Sequence, residues 1–164
     1  MTDEEHRLSD LERELTLLSR HFVASKGPRI GHTLDRSAYV LLTRLEAGDP
    51  LTLKELAHTF QVAVSTINRQ VSAMLKNGLV ERIPDPAGGL ARKFRPTPLG
   101  LERLAADRTI SLAGTTRLIK ATGWPPEKTA QFLTLLIEFN QSIEQLEGLA
   151  WERDGNAGNP TGEH

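Results

Sequence analysis

The sequence predicts a mainly α-helical fold of about six helices with one small β-sheet of two to three strands. Apolar residues recur at alternating steps of three and four over most of the chain, which is the helical period. One segment, 79–95, instead shows two short strand patterns around a turn rich in Gly and Pro. The length of 164 residues, with 38% hydrophobic residues and no Cys, suits one compact domain without disulfides.

The first two helices are predicted from capping signals and apolar stripes. Thr2 and Glu5 form a capping-box pattern, and an apolar stripe of Leu8, Leu11, Leu15, Leu18 and Phe22 follows. This helix should end before Gly27-Pro28, since neither residue continues a helix easily. A second helix is expected from near Asp35 to about Gly48.

Two short helices separated by a few residues come next. A second capping box, Thr52 to Glu55, opens a helix of at most about nine residues. Helical periodicity resumes from Ala63 to Asn77, and Gly78 supplies the left-handed residue that ends the helix. This arrangement is the helix-turn-helix pattern.

A β-hairpin is predicted directly after these helices. Residues 79–83 indicate one strand, residues 84–89 a turn and residues 92–95 a returning strand. A hairpin in this place is a wing, so the sequence predicts an α+β winged helix. Pro96 cannot donate a ladder hydrogen bond, and we therefore expect the wing to end early or to lie at a sheet edge.

Two long helices follow the hairpin. Thr97-Pro98 predicts an N-cap with Pro at the first helical position, and the helix should run to about Thr122. The last helix is predicted to start at Trp124-Pro125, with an apolar stripe of Phe132, Leu136, Phe139, Ile143 and Leu146. Residues 1–153 are expected to form a single domain, and the Gly- and Asn-rich residues 154–164 a disordered tail.

The charge is unevenly distributed along the chain. The net charge of −1 argues at first sight against nucleic acid, because affinity for DNA comes largely from neutralising phosphates. Residues 51–96, however, carry seven basic and three acidic side chains, a net charge of +4, against thirteen basic and eighteen acidic side chains elsewhere. A basic middle between acidic flanks indicates a localised binding surface for an anionic partner.

The outward face of the helix at 63–77 carries the main candidate residues. If the stripe of Ile67, Val71 and Leu75 is buried, the opposite face presents Ser65, Thr66, Asn68, Arg69, Ser72 and Lys76. Arg can bind guanine and Asn adenine in the major groove, where the first residues of a recognition helix usually lie. Lys76 is expected to contact phosphate instead. The alternative is an ordinary solvated helix face.

The basic residues of the hairpin are further candidates for DNA contact, through the backbone or the minor groove: Arg82, Arg92, Lys93 and Arg95. Strand alternation places Arg92 and Phe94 on one side of the returning strand, and Lys93 and Arg95 on the opposite side. The alternative is edge-strand charge that discourages aggregation.

These segments together resemble the MarR family of bacterial regulators. The family's helix-turn-helix and first wing strand are similar to residues 53–60, 64–71 and 75–82. The entry to its wing and the start of the helix beyond the wing are similar to Asp85-Pro86 and residues 97–100. The resemblance in motifs covers about residues 51–100. The helices on either side agree with the family in number and order.

The resemblance implies a homodimer that binds a near-palindromic operator as a transcriptional repressor and responds to a small ligand. It implies a DNA-binding lobe at about 34–97 and dimerisation through N- and C-terminal helices at about 3–25 and 98–149. The two recognition helices would then lie about 34 Å apart, in successive major grooves. The apolar stripes alone leave open the alternative that they pack into the core of one chain.

The sequence departs from the family pattern in the wing and at the recognition helix. The family's wing Asp-x-Arg corresponds to Gly88 and Leu90, although Arg92 is close enough to substitute. Ala63 stands where a Ser N-cap is common, and Pro96 where an apolar strand residue is. The usual wing-tip contact is therefore in question.

No pattern in the sequence indicates an enzyme, a cofactor or a metal site. The five His lack metal-ligand spacing, and there is no nucleophile arrangement or phosphate-binding loop. His21 and His32 flank the first bend between helices, where regulators of this type can hold a small ligand, although an ordinary surface or cap position is the simpler interpretation. The acidic start and the lack of an apolar run of about 18 residues predict a cytoplasmic protein.

Two alternative functions stay open. A winged-helix protein-interaction module without DNA binding would fit the net charge of −1 and the apolar Leu90. A small enzyme or carrier would need a pocket between the helices lined by paired titratable groups.

Overall fold

The computed structural model describes residues 2–24, 31–148 and Trp151, with the side chains of residues 22–24 left out. In this part of the chain six helices and two strands follow one another: α1 (Asp3–Ala24), α2 (Arg36–Ala47), α3 (Leu53–Thr59), α4 (Val64–Lys76), β1 (Val80–Ile83), β2 (Lys93–Pro96), α5 (Pro98–Thr122) and α6 (Pro126–Glu147). The predicted fold class is confirmed. The predicted tail, 154–164, and the side chain of Phe22 lie outside the described residues.

The predicted helix ends are present as hydrogen bonds. The backbone N–H of Glu55 donates to Thr52 Oγ1 (3.2 Å), and the N–H of Thr52 donates to Glu55 Oε2 (2.7 Å). Asp35 caps α2 by accepting from the N–H of Ala38 (2.8 Å). The left-handed φ of 67° at Gly78 ends α4 as predicted. Side-chain caps therefore define the starts of α2 and α3.

The hydrophobic core joins α2, α3, α4, the hairpin and the first half of α5. Its buried side chains are Leu34, Ala38, Leu41, Leu42, Leu45, Leu56, Ala57, Ile67, Val71, Met74, Leu79, Val80, Phe94 and Leu104. Ile67 and Val71 were predicted to face inward and belong to this core. Leu75 is only partly buried, at the edge of this core.

The wing is an antiparallel pair in which Val80 lies opposite Pro96 and Ile83 opposite Lys93. Leu51 adds a short bridge on the other edge, with backbone hydrogen bonds of 3.2 and 2.8 Å to and from Phe94. The predicted returning strand, 92–95, is shifted by one residue. Arg92 precedes the strand, and Pro96 ends it, where its missing N–H costs no interior ladder bond.

The start of α5 lies directly against the wing. A Cβ atom at Gly100 would overlap the backbone carbonyl of Leu79, and the N–H of Thr97 donates to that same carbonyl (3.0 Å). Because only Gly permits this approach, α5 leaves the core in one fixed direction.

The terminal helices expose their apolar stripes. No residue of α6 is buried, and Leu8, Leu11, Phe132 and Leu133 are between 43% and 59% exposed. The alternative in which these stripes form the core of a single chain is therefore wrong for the residues described. Within the described ranges, no helix combines the length and the apolar character needed to cross a membrane.

Candidate nucleic-acid interface

Helix α4 presents one polar face to solvent. Five of the six residues predicted for this face are exposed and Thr66 is half-buried; the exposed ones are Ser65, Asn68, Arg69, Ser72 and Lys76. Ile67 and Val71, on the opposite face, are each 1% exposed. Because Ile67 and Val71 are buried in the core, α4 cannot rotate its polar face inward without removing these two side chains from the core.

The sides of α4 are held by polar and backbone contacts. Gln70 Nε2 donates to Ser37 Oγ of α2 over 3.2 Å. The turn before α4 contains Gln61 at φ 50°, a left-handed conformation that is uncommon for a residue other than Gly. The N–H of Val62 closes this turn on the carbonyl of Ala57 (3.1 Å). Ala63 begins α4 without a side-chain cap, as expected for a residue that lacks a polar group.

Asp85 organises the tip of the wing. Its carboxylate accepts from the N–H of Ala87 (3.0 Å) and lies 3.3 Å from Lys93 Nζ. The Ala87 N–H bond, with a further contribution from Lys93, holds the pKa of Asp85 below its ordinary value. A Cβ at Gly89 would overlap this carboxylate. The tip is therefore an ordered loop, and Lys93 is part of its internal support.

The remaining strand cations have partners across the hairpin. Arg95 Nε lies 2.6 Å from Glu81 Oε1, its cross-strand neighbour. The guanidinium of Arg82 lies 5.6 Å from the ring centroid of Phe94, also its cross-strand neighbour. Both Arg side chains stay exposed to solvent, so each pairing is screened and can exchange for a phosphate.

Three cations of the predicted site form neither an ion pair nor a cation–π contact with the described residues: Arg69, Lys76 and Arg92. All three are exposed. Leu90, between the wing turn and Arg92, is fully exposed at 104%. The structure thus brings free positive charge to both α4 and the wing.

Asp107 is a functional candidate that the motifs and the apolar helical period do not indicate. It is fully buried on α5 and accepts from the N–H of Thr33 (2.8 Å), the hydroxyl of Thr33 (3.2 Å) and the N–H of Leu34 (3.0 Å). Burial raises the pKa of Asp107, but these hydrogen bonds outweigh burial and leave the pKa below its ordinary value. Asp107 lies at helical spacing from Gly100 and Leu104, the other buried residues of α5. An acidic residue on the buried side of a helix is the signal that could have identified it from the sequence.

The two His residues near the first bend differ in environment. His21 is exposed, whereas His32 is partly buried with Nε2 3.4 Å from Ser111 Oγ. The Nδ1 atom of His32 is buried and has no hydrogen-bond partner among the described residues. In the described part of the chain, no three His, Asp or Glu residues are grouped so as to hold a metal ion.

The sequence is similar to a known family and to a known regulator. Residues 34–87 match the model of the MarR family. The chain is 33% identical over 135 residues to the uncharacterized HTH-type transcriptional regulator YxaD of Bacillus subtilis (strain 168), covering 81% of this chain and 92% of the relative.

Solved structures share the fold. Staphylococcus aureus MarR in complex with salicylate and kanamycin superposes with a TM-score of 0.71 at 16% identity, covering 89% of this chain and 96% of that chain. Streptococcus pneumoniae FabT in complex with DNA gives a TM-score of 0.57 at 15% identity, covering 87% and 96%.

The fold and the exposed face of α4 define a winged helix-turn-helix protein. The match to the family model and the extent of the match to YxaD go further: the chain belongs to the MarR family of transcriptional regulators.

Proposed function

We propose that the protein is a homodimeric, sequence-specific DNA-binding repressor that occupies a near-palindromic operator. The observation that carries this proposal is the polar face of α4, exposed along its length while Ile67 and Val71 anchor the opposite face. A rigid helix with a polar, cationic outer face is the element that fits into the major groove.

The residues of α4 divide into two roles. Ser65, Asn68 and Arg69 belong to its first half, where side chains of a recognition helix approach base edges. Asn offers a bidentate bond to adenine and Arg to guanine. Lys76, in the last turn, has a flexible cationic side chain suited to phosphate, which positions the protein without selecting sequence.

The wing supplies the second set of DNA contacts. Arg92 is exposed and without an ion pair among the described residues, so it is the first candidate for the adjacent phosphate backbone or minor groove. Arg82 and Arg95 are exposed and can add phosphate contacts. Lys93 contributes indirectly, by holding the tip through Asp85.

The exposed apolar stripes support a homodimer. Phe132, Leu136, Phe139 and Ile143 recur along one side of α6, with exposures of 37–43%, and Leu8, Leu11 and Leu15 along α1. Large apolar side chains exposed in a row along a helix indicate an interaction site. A second copy is the simplest partner, because a twofold axis would place two α4 helices on one side of the duplex.

Control by a small ligand is part of the proposal. Asp107 of α5 accepts hydrogen bonds from Thr33 and Leu34, at the start of the proposed DNA-binding lobe. These bonds join that lobe to α5. A ligand bound beside this junction would change the angle between lobe and α5, and with it the distance between the two α4 helices. The salicylate complex of Staphylococcus aureus MarR supports small-molecule binding in this fold.

The test begins with selection of duplexes from a random-sequence pool by the full-length protein. Fluorescence anisotropy on the selected duplex, a scrambled duplex and several salt concentrations then measures affinity and its salt dependence. We expect two inverted half-sites about one helical turn apart, and affinity that falls steeply with salt. Failure to enrich any duplex at low salt would contradict the proposal.

A protein-interaction module without DNA binding is the second candidate function. The complete exposure of Leu90 at the wing tip and the net charge of −1 favour it. Such a module would show no affinity for the selected duplex, or an affinity without the expected salt dependence.

A further inference from the structure

We infer that Trp151 is a positioning residue for DNA binding, which fixes the helix-turn-helix relative to the end of α6. The inference rests on the proposed function. Its central observation is an aromatic contact between Trp151, beyond the end of α6, and Phe60, the residue that ends α3.

The contact has the geometry of a specific aromatic pair. The two ring centroids lie 5.6 Å apart with an angle of 79° between the ring planes, an edge-to-face arrangement. The N–H of Trp151 also donates to Glu144 Oε2 in α6 over 3.3 Å. Gly148, at φ 66°, turns the chain at the end of α6. Trp151 is therefore tied to α6 by its backbone and to α3 by its ring.

Phe60 is well placed to transmit this contact to the recognition helix. Its side chain is partly buried against the hydrophobic core, and its N–H donates to the carbonyl of Leu56 (3.0 Å). The left-handed Gln61 follows immediately, and α4 begins at Val64. Only three residues therefore separate the Trp151 contact from the first residue of the helix proposed to enter DNA.

The contact matters because α6 has little else to hold it against the lobe. No residue of α6 is buried, and its apolar side is the proposed dimer surface. If α6 is fixed by the partner subunit, a link from its end to Phe60 fixes the direction of α4 within the dimer. Loss of the link would leave each α4 intact but free to vary in spacing and angle relative to its twin.

This consequence separates two affinities. Binding to a two-half-site operator depends on the mutual position of both α4 helices, whereas binding to one half-site depends on a single helix. We expect W151A to weaken binding to the full selected operator by about two- to tenfold, the range of one aromatic pair. Binding to a single half-site duplex should stay within about twofold of wild type, and the salt dependence should not change because no phosphate contact is removed.

The experiment uses the full chain and matched variants. W151F keeps an aromatic edge for Phe60 and should restore most of the affinity for the full operator. W124F is the control, since Trp124 packs on Phe132 at the corner between α5 and α6, with ring centroids 5.5 Å apart. The chain has two Trp, so W124F also leaves Trp151 as the only Trp for the emission measurement. Adding F60L to W124F should then shift its emission to longer wavelength.

The outcomes are distinct. Equal full-operator affinity for wild type and W151A would overturn the inference, as would an equal loss on full and single half-sites, which would indicate damage to the lobe itself. Emission of Trp151 that does not respond to F60L would overturn the contact. A wild-type protein that selects no duplex would contradict the proposed function instead, and the emission measurement would still test the contact.

Discussion

Asp107 of α5 and Leu34 are joined by a hydrogen bond of 3.0 Å, in which the buried carboxylate accepts from the backbone N–H of Leu34. Leu34 lies at the start of the unit formed by α2, α3, α4 and the hairpin, here called the lobe. Thr33 adds two donors to the same carboxylate. The lobe is thus attached to α5 at two ends, here through Asp107 and at the wing through Gly100. A change at either attachment should alter both stability and the position of α4.

Asp107→Asn tests the first attachment. The amide leaves one acceptor oxygen where the carboxylate has two, so a buried N–H loses its partner, at a cost of about 1–3 kcal/mol in the free energy of unfolding. Urea denaturation at one fixed protein concentration measures it. Glu102→Gln, an exposed position of α5, is the matched control and should change the free energy little. Equal midpoints for both variants would contradict the assigned role of Asp107.

The pH dependence of stability follows from the same residue. Hydrogen bonds keep the folded pKa of Asp107 below its unfolded value of about 4, so ionised Asp107 stabilises the fold above that pH, and this contribution is lost as pH falls through the folded pKa. The stability difference between wild type and Asp107→Asn should be largest near pH 7 and shrink below about pH 4. Urea midpoints across this range measure it, and a constant difference would contradict the prediction.

Arg69→Ala and Lys76→Ala should affect DNA binding differently. Removing Arg69 should cost about 1–3 kcal/mol on the selected duplex and relax the preference at one base position. Removing Lys76 should weaken binding to all duplexes alike, and should lower the slope of log affinity against log salt concentration by about 1. Arg20→Ala, an exposed cation of α1, is the control. Identical effects of the two α4 variants on sequence preference would contradict the division of roles along the helix.

Phe139→Asp tests the dimer. It places a charge in the exposed apolar stripe of α6, where burial against a second copy would require its desolvation. We expect sedimentation velocity to show a species near the monomer mass of 18.1 kDa in place of a dimer. Leu90→Asp is the matched control, because Leu90 is fully exposed on the wing. A dimer of unchanged affinity in Phe139→Asp would place the interface elsewhere.

Gly100→Ala tests the second attachment of the lobe. Its Cβ would overlap the carbonyl of Leu79, so the wing and α5 must separate, and we expect a loss of about 1–3 kcal/mol in the free energy of unfolding. Gly114→Ala is the control on the same helix, since its Cβ would meet no atom of the described residues within 4 Å. That change should be neutral or stabilise by up to about 1 kcal/mol. Thermal or urea unfolding distinguishes the two.

Much of the fold could be predicted because its signals are local. Capping residues such as Thr52 and Asp35, and the apolar period of each helix, depend on neighbours within four residues, and those helix boundaries agree to within about two residues. The exposed face of α4 follows from the same period. The strand boundary was off by one at Arg92, because the register depends on cross-strand pairing with β1.

Contacts between distant residues could not be predicted. Asp107 meets Thr33 across 74 positions, and Trp151 meets Phe60 across the length of α4, the wing, α5 and α6. Nor does the sequence show that Lys93 and Arg95 have acidic partners while Arg92 has none among the described residues. These partners depend on packing, which periodicity does not specify.

Helix α5 runs without interruption from Pro98 to Thr122, a length of about 37 Å at 1.5 Å per residue. A rod of that length acts as a lever. If its far end is fixed, a tilt of about 5° displaces the end at Gly100 by about 3 Å, close to the 3.4 Å rise of one base step. An angular change of a few degrees in α5 would thus displace the lobe by a distance close to one base step.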